Sequence, residues 1–171
     1  HDAGRVDAGR VDAGMPKVRI ALAIGAWLMS LTMTGAKAWA LASCAILSVT
    51  GVSFGSYDRL DSRPVDSTGS VSIRCTGVDP TDSVVIQIGR GSAGSPIPRS
   101  MYRGSARLEY NLFLDVQRTL VWGDGTGGTA IYARRPPDGS TLAVPVYGRI
   151  PPGQNVVPGQ YTDLVVVTVL F

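Results

Sequence analysis

The chain carries one histidine, at position 1, one glutamate, Glu109, and two lysines, Lys17 and Lys37. With no histidine from residue 41 onward, no Ser-His-Asp or Cys-His triad and no ordinary zinc site is expected. A single glutamate and scattered aspartates supply no paired carboxylates for acid–base chemistry, so an enzyme is not expected. The two cysteines, Cys44 and Cys75, are too far apart for a C-x-x-C redox motif. Asp124 is the one acid in the glycine-rich stretch 123–128, too few carboxylates for a calcium loop. Gly89-Arg90-Gly91 and Gly125-Thr126-Gly127 precede no helix and read as turns rather than phosphate cradles. No catalytic, cofactor-binding or metal-binding residue is expected. From residue 41 onward eleven arginines face ten acids, a balance near +1 with no basic face for nucleic acid. Arg134-Arg135 reads as a solvated loop.

What is present begins with a leader. Residues 1–14 repeat with a period of five and show no hydrophobic pattern; they read as translated upstream sequence ahead of Met15. A basic stretch at 15–19, an apolar run at 20–33 and small residues around Ala36-Lys37-Ala38-Trp39-Ala40 have the three-part layout of a secretory signal over residues 15–40. The apolar run is short for a membrane-spanning helix. Cleavage near residue 40 leaves about 130 residues, the size of one domain, so 41–171 is expected to fold as a unit. In an exported chain, two cysteines read as one disulfide, Cys44 to Cys75. The alternative is a lipobox, Leu41-Ala42-Ser43-Cys44, with Cys44 lipidated and Cys75 free.

Strand-like alternation recurs at 45–54, 70–75, 83–88, 107–115, 130–133, 142–148 and 161–171, with Gly, Pro, Asp and Ser clusters between. No segment has a helical period. About seven short strands imply an all-β sandwich or small barrel. Pro145 implies that its strand lies at an edge or breaks there. Tyr110, Tyr132, Tyr147, Tyr161, Trp122 and Phe113 are expected in the core, a sugar-binding platform being the rival use. The last run, Tyr161-Thr162-Asp163-Leu164-Val165-Val166-Val167-Thr168-Val169-Leu170-Phe171, is apolar on both faces. Val165, Val167, Val169 and Phe171 share one face, and Leu164, Val166 and Leu170 the other. Such a strand is expected to be covered on both faces and to need a backbone partner on each edge. As no sequence follows it here, either an earlier strand or another molecule is expected to supply that partner.

Several motifs occur in a fixed order: Val52-Ser53-Phe54-Gly55-Ser56-Tyr57-Asp58; Val71-Ser72-Ile73-Arg74-Cys75; Arg99-Ser100-Met101; Leu108-Glu109-Tyr110-Asn111-Leu112-Phe113-Leu114-Asp115; Trp122-Gly123-Asp124-Gly125; Pro145-Val146-Tyr147-Gly148-Arg149-Ile150; and Gly159-Gln160-Tyr161-Thr162-Asp163 through Phe171. Taken in that order, they resemble spore coat protein U domains, the family that includes subunits of Csu-type pili, the archaic chaperone–usher fimbriae. The resemblance implies an incomplete immunoglobulin-like β-sandwich, completed by a donor strand from another chain. It implies a periplasmic chaperone, an outer-membrane usher and other pilus subunits as partners, and no small-molecule substrate or nucleic acid. The product would be a secreted surface fimbrium or coat serving adhesion and biofilm formation. The groove and chaperone contact would use Leu164, Val165, Val166, Val167, Val169, Leu170 and Phe171. A donor strand needs about ten alternating residues ahead of the first cysteine, and this chain offers few, so a strand-accepting, minor or tip-like subunit is expected. Competing readings are a self-complete surface- or carbohydrate-binding module using exposed aromatics such as Trp122, and a small outer-membrane barrel.

Overall fold

A computed structural model describes residues 41–171; the expected repeat and secretory signal lie outside the described residues. Eight strands form two sheets: β1 (Ser43–Thr50), β2 (Val65–Thr76), β3 (Val84–Ile88), β4 (Arg99–Arg103), β5 (Ala106–Phe113), β6 (Tyr132–Arg134), β7 (Thr141–Ile150) and β8 (Val167–Leu170). The first sheet runs β1-β2-β7-β5-β4 and the second β6-β3-β8, with every ladder antiparallel. No helix occurs among the described residues.

Period-two alternation decides which side chains meet. In β2, Val71, Ile73 and Cys75 point inward while Ser70, Ser72 and Arg74 point out. β7 does the same with Val144, Val146 and Ile150, β5 with Leu108, Tyr110 and Leu112, and β3 with Val84, Ile86 and Ile88. These residues and Trp122 form one core between the two sheets. Trp122 is fully buried, and its indole N–H donates to the Ile86 carbonyl at 2.9 Å. A buried tryptophan needs such an acceptor.

The strand order reproduces most of an immunoglobulin sandwich. β1, β2, β7 and β5 take the places of strands A, B, E and D, and β3 and β8 those of C and F. β4 and β6 are additions. Among the described residues no strand occupies position G, beside β8.

The structure corrects three expectations. β4 was not anticipated: Arg99-Ser100-Met101-Tyr102-Arg103 has charge at both ends and one fully buried arginine, which hides the strand pattern. The first strand ends at Thr50 rather than at 54, because the chain then leaves the ladder. Pro145 sits in an interior strand without a break. It pairs with Ser70 of β2, while β5 covers β7 only from Tyr147 to Arg149. The flank of β7 at Pro145 is therefore unpaired, so no ladder bond needs the missing N–H. Among the described residues the outer face of the last strand carries exposed Leu164, Val166 and Leu170.

Candidate functional site: an open strand edge

The last strand is held along one edge. Thr162 exchanges both backbone hydrogen bonds with Tyr102 of β4, at 2.8 and 3.1 Å. The Gly89 N–H donates to the Val166 carbonyl at 2.8 Å, and Val167–Leu170 pair with residues 85–88. Burial alternates without a slip from Tyr161 to Leu170, so this stretch is extended throughout. In an extended chain, residues two or four apart aim their backbone polar groups at the same edge. Thr162, Val166, Thr168 and Leu170 thus serve the paired edge. Asp163, Val165, Val167 and Val169 aim N–H and C=O at the opposite edge, where no backbone partner exists among the described residues.

Val165, Val167 and Val169 are half-buried and pack on the core. Leu164, Val166, Leu170 and Phe171 are exposed, Leu164 by 81%. The sequence pattern placed Phe171 on the inward face, but it does not join the core. The alternation ends one residue earlier than its apolar character suggests.

A second deficit lies in β1. Directly opposed residues on paired strands share a face. Cys44 lies opposite Cys75, Ile46 opposite Ile73 and Val49 opposite Val71, and those three β2 residues have 0% exposure. Ile46 and Val49 must therefore face inward, a bulge at Leu47 keeping them in phase. Yet Ile46 is 43% exposed and Val49 51%. The second sheet does not reach over them.

The two deficits adjoin. The β6 side of the second sheet is tied to β5 by Val121 pairing with Phe113, by Ala130 pairing with Trp122 and by the Ile88 N–H donating to Gly123. β8 lies on the other side of β3, so its free edge points toward the layer above β2 and β1. Calling the Cys75 end of β2 the upper end, β1 descends from Cys44 to Val49 and β8 ascends from the level of Tyr110 to Val169. The exposed stretch of β1, residues 45–50, spans six residues, or about 20 Å.

The lower end is closed. After Thr50 the chain crosses the inner face of the first sheet at two glycines. A Cβ on Gly148 would lie 2.6 Å from Val52 and 2.8 Å from Phe54, and one on Gly69 would strike the Thr50 carbonyl and Val52. Phe54 then meets Tyr110 edge to face, with ring centroids 5.8 Å apart. The Tyr110 hydroxyl donates to Asp163 at 2.7 Å, and the other carboxylate oxygen of Asp163 accepts from the Ser92 N–H at 2.8 Å. Burial, then the bond to Asp163, pushes the Tyr110 phenol well above its ordinary range, so it stays a donor. Beneath it, Arg99 is fully buried, has no carboxylate partner among the described residues, and donates to the carbonyls of Ile88, Gly89 and Trp122 and to the Asn111 side chain. This network fixes the ends of β3 and β4, from which the last strand hangs.

Cys44 and Cys75 form a disulfide, which excludes the lipidated alternative. Trp122 and Tyr110 are buried; Tyr132, Tyr147, Tyr161 and Phe113 are half-buried, and Arg118 covers the Tyr147 ring at 5.8 Å. Trp122 therefore cannot serve as an exposed sugar platform. A shallow cavity of about 610 Å³ lies among Ser92, Tyr102, Thr162, Asp163 and Leu164 and adjoins the strand's lower end. Sequence reasoning found the strand but missed Ile46 and Val49 as its complement, and Phe54, Tyr110 and Asp163 as the closure. The only sequence signal for them was a first strand with apolar residues three apart.

Residues 30–168 match the family model described as Spore Coat Protein U domain. Protein U of Myxococcus xanthus is 39% identical over 147 residues, covering 75% of this chain and 78% of that protein. Among solved structures, the crystal structure of the CsuC-CsuE chaperone-tip adhesion subunit pre-assembly complex from archaic chaperone-usher Csu pili of Acinetobacter baumannii matches at 24% identity and a TM-score of 0.49. That match covers 77% of this chain, which spans 40% of the other.

Proposed function

The chain belongs to the Spore Coat Protein U domain family, and from that premise we propose that it is a non-enzymatic structural subunit of a cell-surface chaperone–usher fibre or coat. It accepts a strand from another chain at the free edge of β8. A periplasmic chaperone holds that edge during export, an outer-membrane usher secretes the subunit, and a neighbouring subunit then takes the chaperone's place. In the finished assembly it acts as an accepting, minor or tip-like unit and contributes to adhesion and biofilm formation. Leu164 to Phe171 form the contact strand: Val165, Val167 and Val169 supply backbone bonds and inner packing, and Leu164, Val166, Leu170 and Phe171 line its outer side.

One observation carries the proposal: among the described residues, the edge at Asp163, Val165, Val167 and Val169 has no backbone partner, and inward-facing Ile46 and Val49 are half exposed. An added strand would satisfy both. Four large apolar side chains from the donor would contribute on the order of 6 to 12 kcal/mol before ordering costs. Left open, the same edge invites aggregation, a physical reason for a chaperone.

The test is expression with and without the partner chaperone, followed by hydrogen exchange. The proposal expects chaperone-dependent soluble yield, and slow exchange at the amides of residues 165, 167 and 169 only in the complex. Equal monodisperse yield without chaperone, with those amides already protected, overturns it.

A further inference from the structure

Resting on the strand-accepting reading, we propose that Asp163 is the positioning residue of strand capture: its carboxylate, gripped from two sides, holds the root of the last strand so that the open edge is in place before a partner arrives. Asp163 is the first residue that turns its backbone groups toward that edge. Its side chain leaves the strand and joins two other parts of the chain. One oxygen accepts from the Tyr110 hydroxyl of β5 at 2.7 Å, the other from the Ser92 N–H in the β3–β4 connection at 2.8 Å. That connection is shaped around the carboxylate. Gly91 has φ +71°, and a Cβ there would strike the Asp163 side chain. Glycine satisfies both demands, the left-handed backbone and the close approach.

Neighbouring bonds extend the grip. The Tyr161 hydroxyl donates to the Val157 carbonyl at 2.8 Å and closes the turn that leads into the strand. Thr162 exchanges both backbone bonds with Tyr102. The Val166 carbonyl accepts from the Gly89 N–H, and the Gly89 carbonyl is itself held by Arg99. Beyond Val166 the strand has β3 alone beside it, through Val167–Leu170. The strand is thus clamped at its root and secured along one edge above. Asp163 need not touch the incoming strand with its side chain, because it acts through population. A donor pairs only with molecules whose edge is in place, so association slows in proportion to the fraction out of place. Dissociation starts from the paired state, in which the donor itself holds the edge. Losing the clamp therefore slows association, whereas losing a contact residue mainly speeds dissociation.

The experiment follows a fluorescent alternating Val/Thr peptide of about nine residues binding to the disulfide-intact protein, with association and dissociation rates measured separately. Asp163→Ala is expected to slow association about tenfold and to change dissociation by less than about twofold. Tyr110→Phe is expected to slow association in the same direction. Asp163→Asn keeps one acceptor oxygen and can donate to the Tyr110 hydroxyl, and is expected to recover most of the loss. Adding Tyr110→Phe to Asp163→Ala is expected to slow association no further, since the two residues share one bond. The Gly89 and Tyr102 amides, which bond to the last strand, should exchange faster in these variants while the β2–β7 ladder does not. Tyr110→Phe decides the matter if Asp163→Ala folds poorly. Unchanged association in the single variants overturns the positioning role. Equal slowing by Val144→Ala, a truncation of a buried residue in β7, overturns it too, because loss of stability alone would then suffice. Strand acceptance stands in both cases. No binding of the peptide to the unmodified protein, with residues 165, 167 and 169 never gaining protection, overturns the strand-accepting reading itself and the positioning role with it.

Discussion

Removing the Cys44–Cys75 bond should release β1 before anything else. The two cysteines lie directly opposite each other at the upper end of the β1–β2 ladder, 31 residues apart in sequence. Closing a loop of that length is worth roughly 3.7 kcal/mol in the chain-entropy account. Against this, β1 offers little packing of its own: its two inward apolar residues, Ile46 and Val49, are each about half exposed, and together contribute about 1.5 to 3 kcal/mol. The covalent tie therefore outweighs side-chain burial in keeping β1 on the sheet. In a Cys44→Ala/Cys75→Ala protein, the melting temperature should fall by roughly 10 to 20 °C for a domain of this size. Hydrogen exchange should also separate two regions. Amides of Ser43–Thr50 should exchange almost as in a free chain, while the β2–β7 ladder keeps its protection. The reasoning is refuted if the melting temperature moves by less than about 3 °C and β1 stays as protected as before. It is refuted equally if β1 and β7 lose protection together, because β1 would then share the core's stability rather than hang from one bond.

Three other perturbations follow from the geometry. Gly148→Ala drives a methyl into Val52 and Phe54; overpacking of about 1 to 3 kcal/mol, less the 0.5 to 1 kcal/mol or so that alanine gains over glycine in a strand, should leave the protein less stable by up to about 2.5 kcal/mol in urea unfolding, and higher stability would contradict the crossing. Arg99→Met leaves the Ile88, Gly89 and Trp122 carbonyls without their donor, and should cost about 3 to 5 kcal/mol by the same measurement, with a loss under about 1 kcal/mol counting against the network. Asp66 has its pKa lowered chiefly by its hydrogen bond to Arg149, aided by Arg118; because the folded value is the depressed one, its contribution is full above about pH 4 and disappears as pH falls through the folded value. Thermal melts of Asp66→Asn should thus sit slightly below the parent at pH 6, by under about 1 kcal/mol since the pair is a third exposed, and converge with it near pH 2.

The all-β class and the main core strands were legible because alternation is a local signal. Val71-Ser72-Ile73-Arg74-Cys75 and Val84-Val85-Ile86-Gln87-Ile88 announce an inner and an outer face without reference to anything distant. The contact strand was legible for the same reason. β4 was not, since a fully buried arginine bonded to three carbonyls looks from sequence like a surface charge. Pro145 misled because a proline reports that one N–H goes unused, not that a whole strand lies at an edge. Here the ladder of β5 stops two residues short of it. The closed end of the slot could not be read at all: Gly69, Gly148, Phe54 and Tyr110 come from four separate stretches and acquire a joint meaning only when the chain crosses the sheet.

The strongest support for an accepting slot is that two unrelated shortages coincide. The unused bonding at β8 is a backbone property, carried by residues 163 to 169. The missing cover at β1 is a side-chain property, carried by Ile46 and Val49 more than a hundred positions earlier in the chain. A loosely packed sandwich would scatter such defects. In this one the core residues beneath remain sealed, with Val71 and Ile73 at 0% exposure, so the fault is not general looseness. One extended segment laid along β8 would bond the first and cover the second. A single added loop or helix could cover Ile46 and Val49 but could not use a row of backbone groups spaced for a strand. The proposed strand partner would thus account for both shortages, where a loop or helix would account for one.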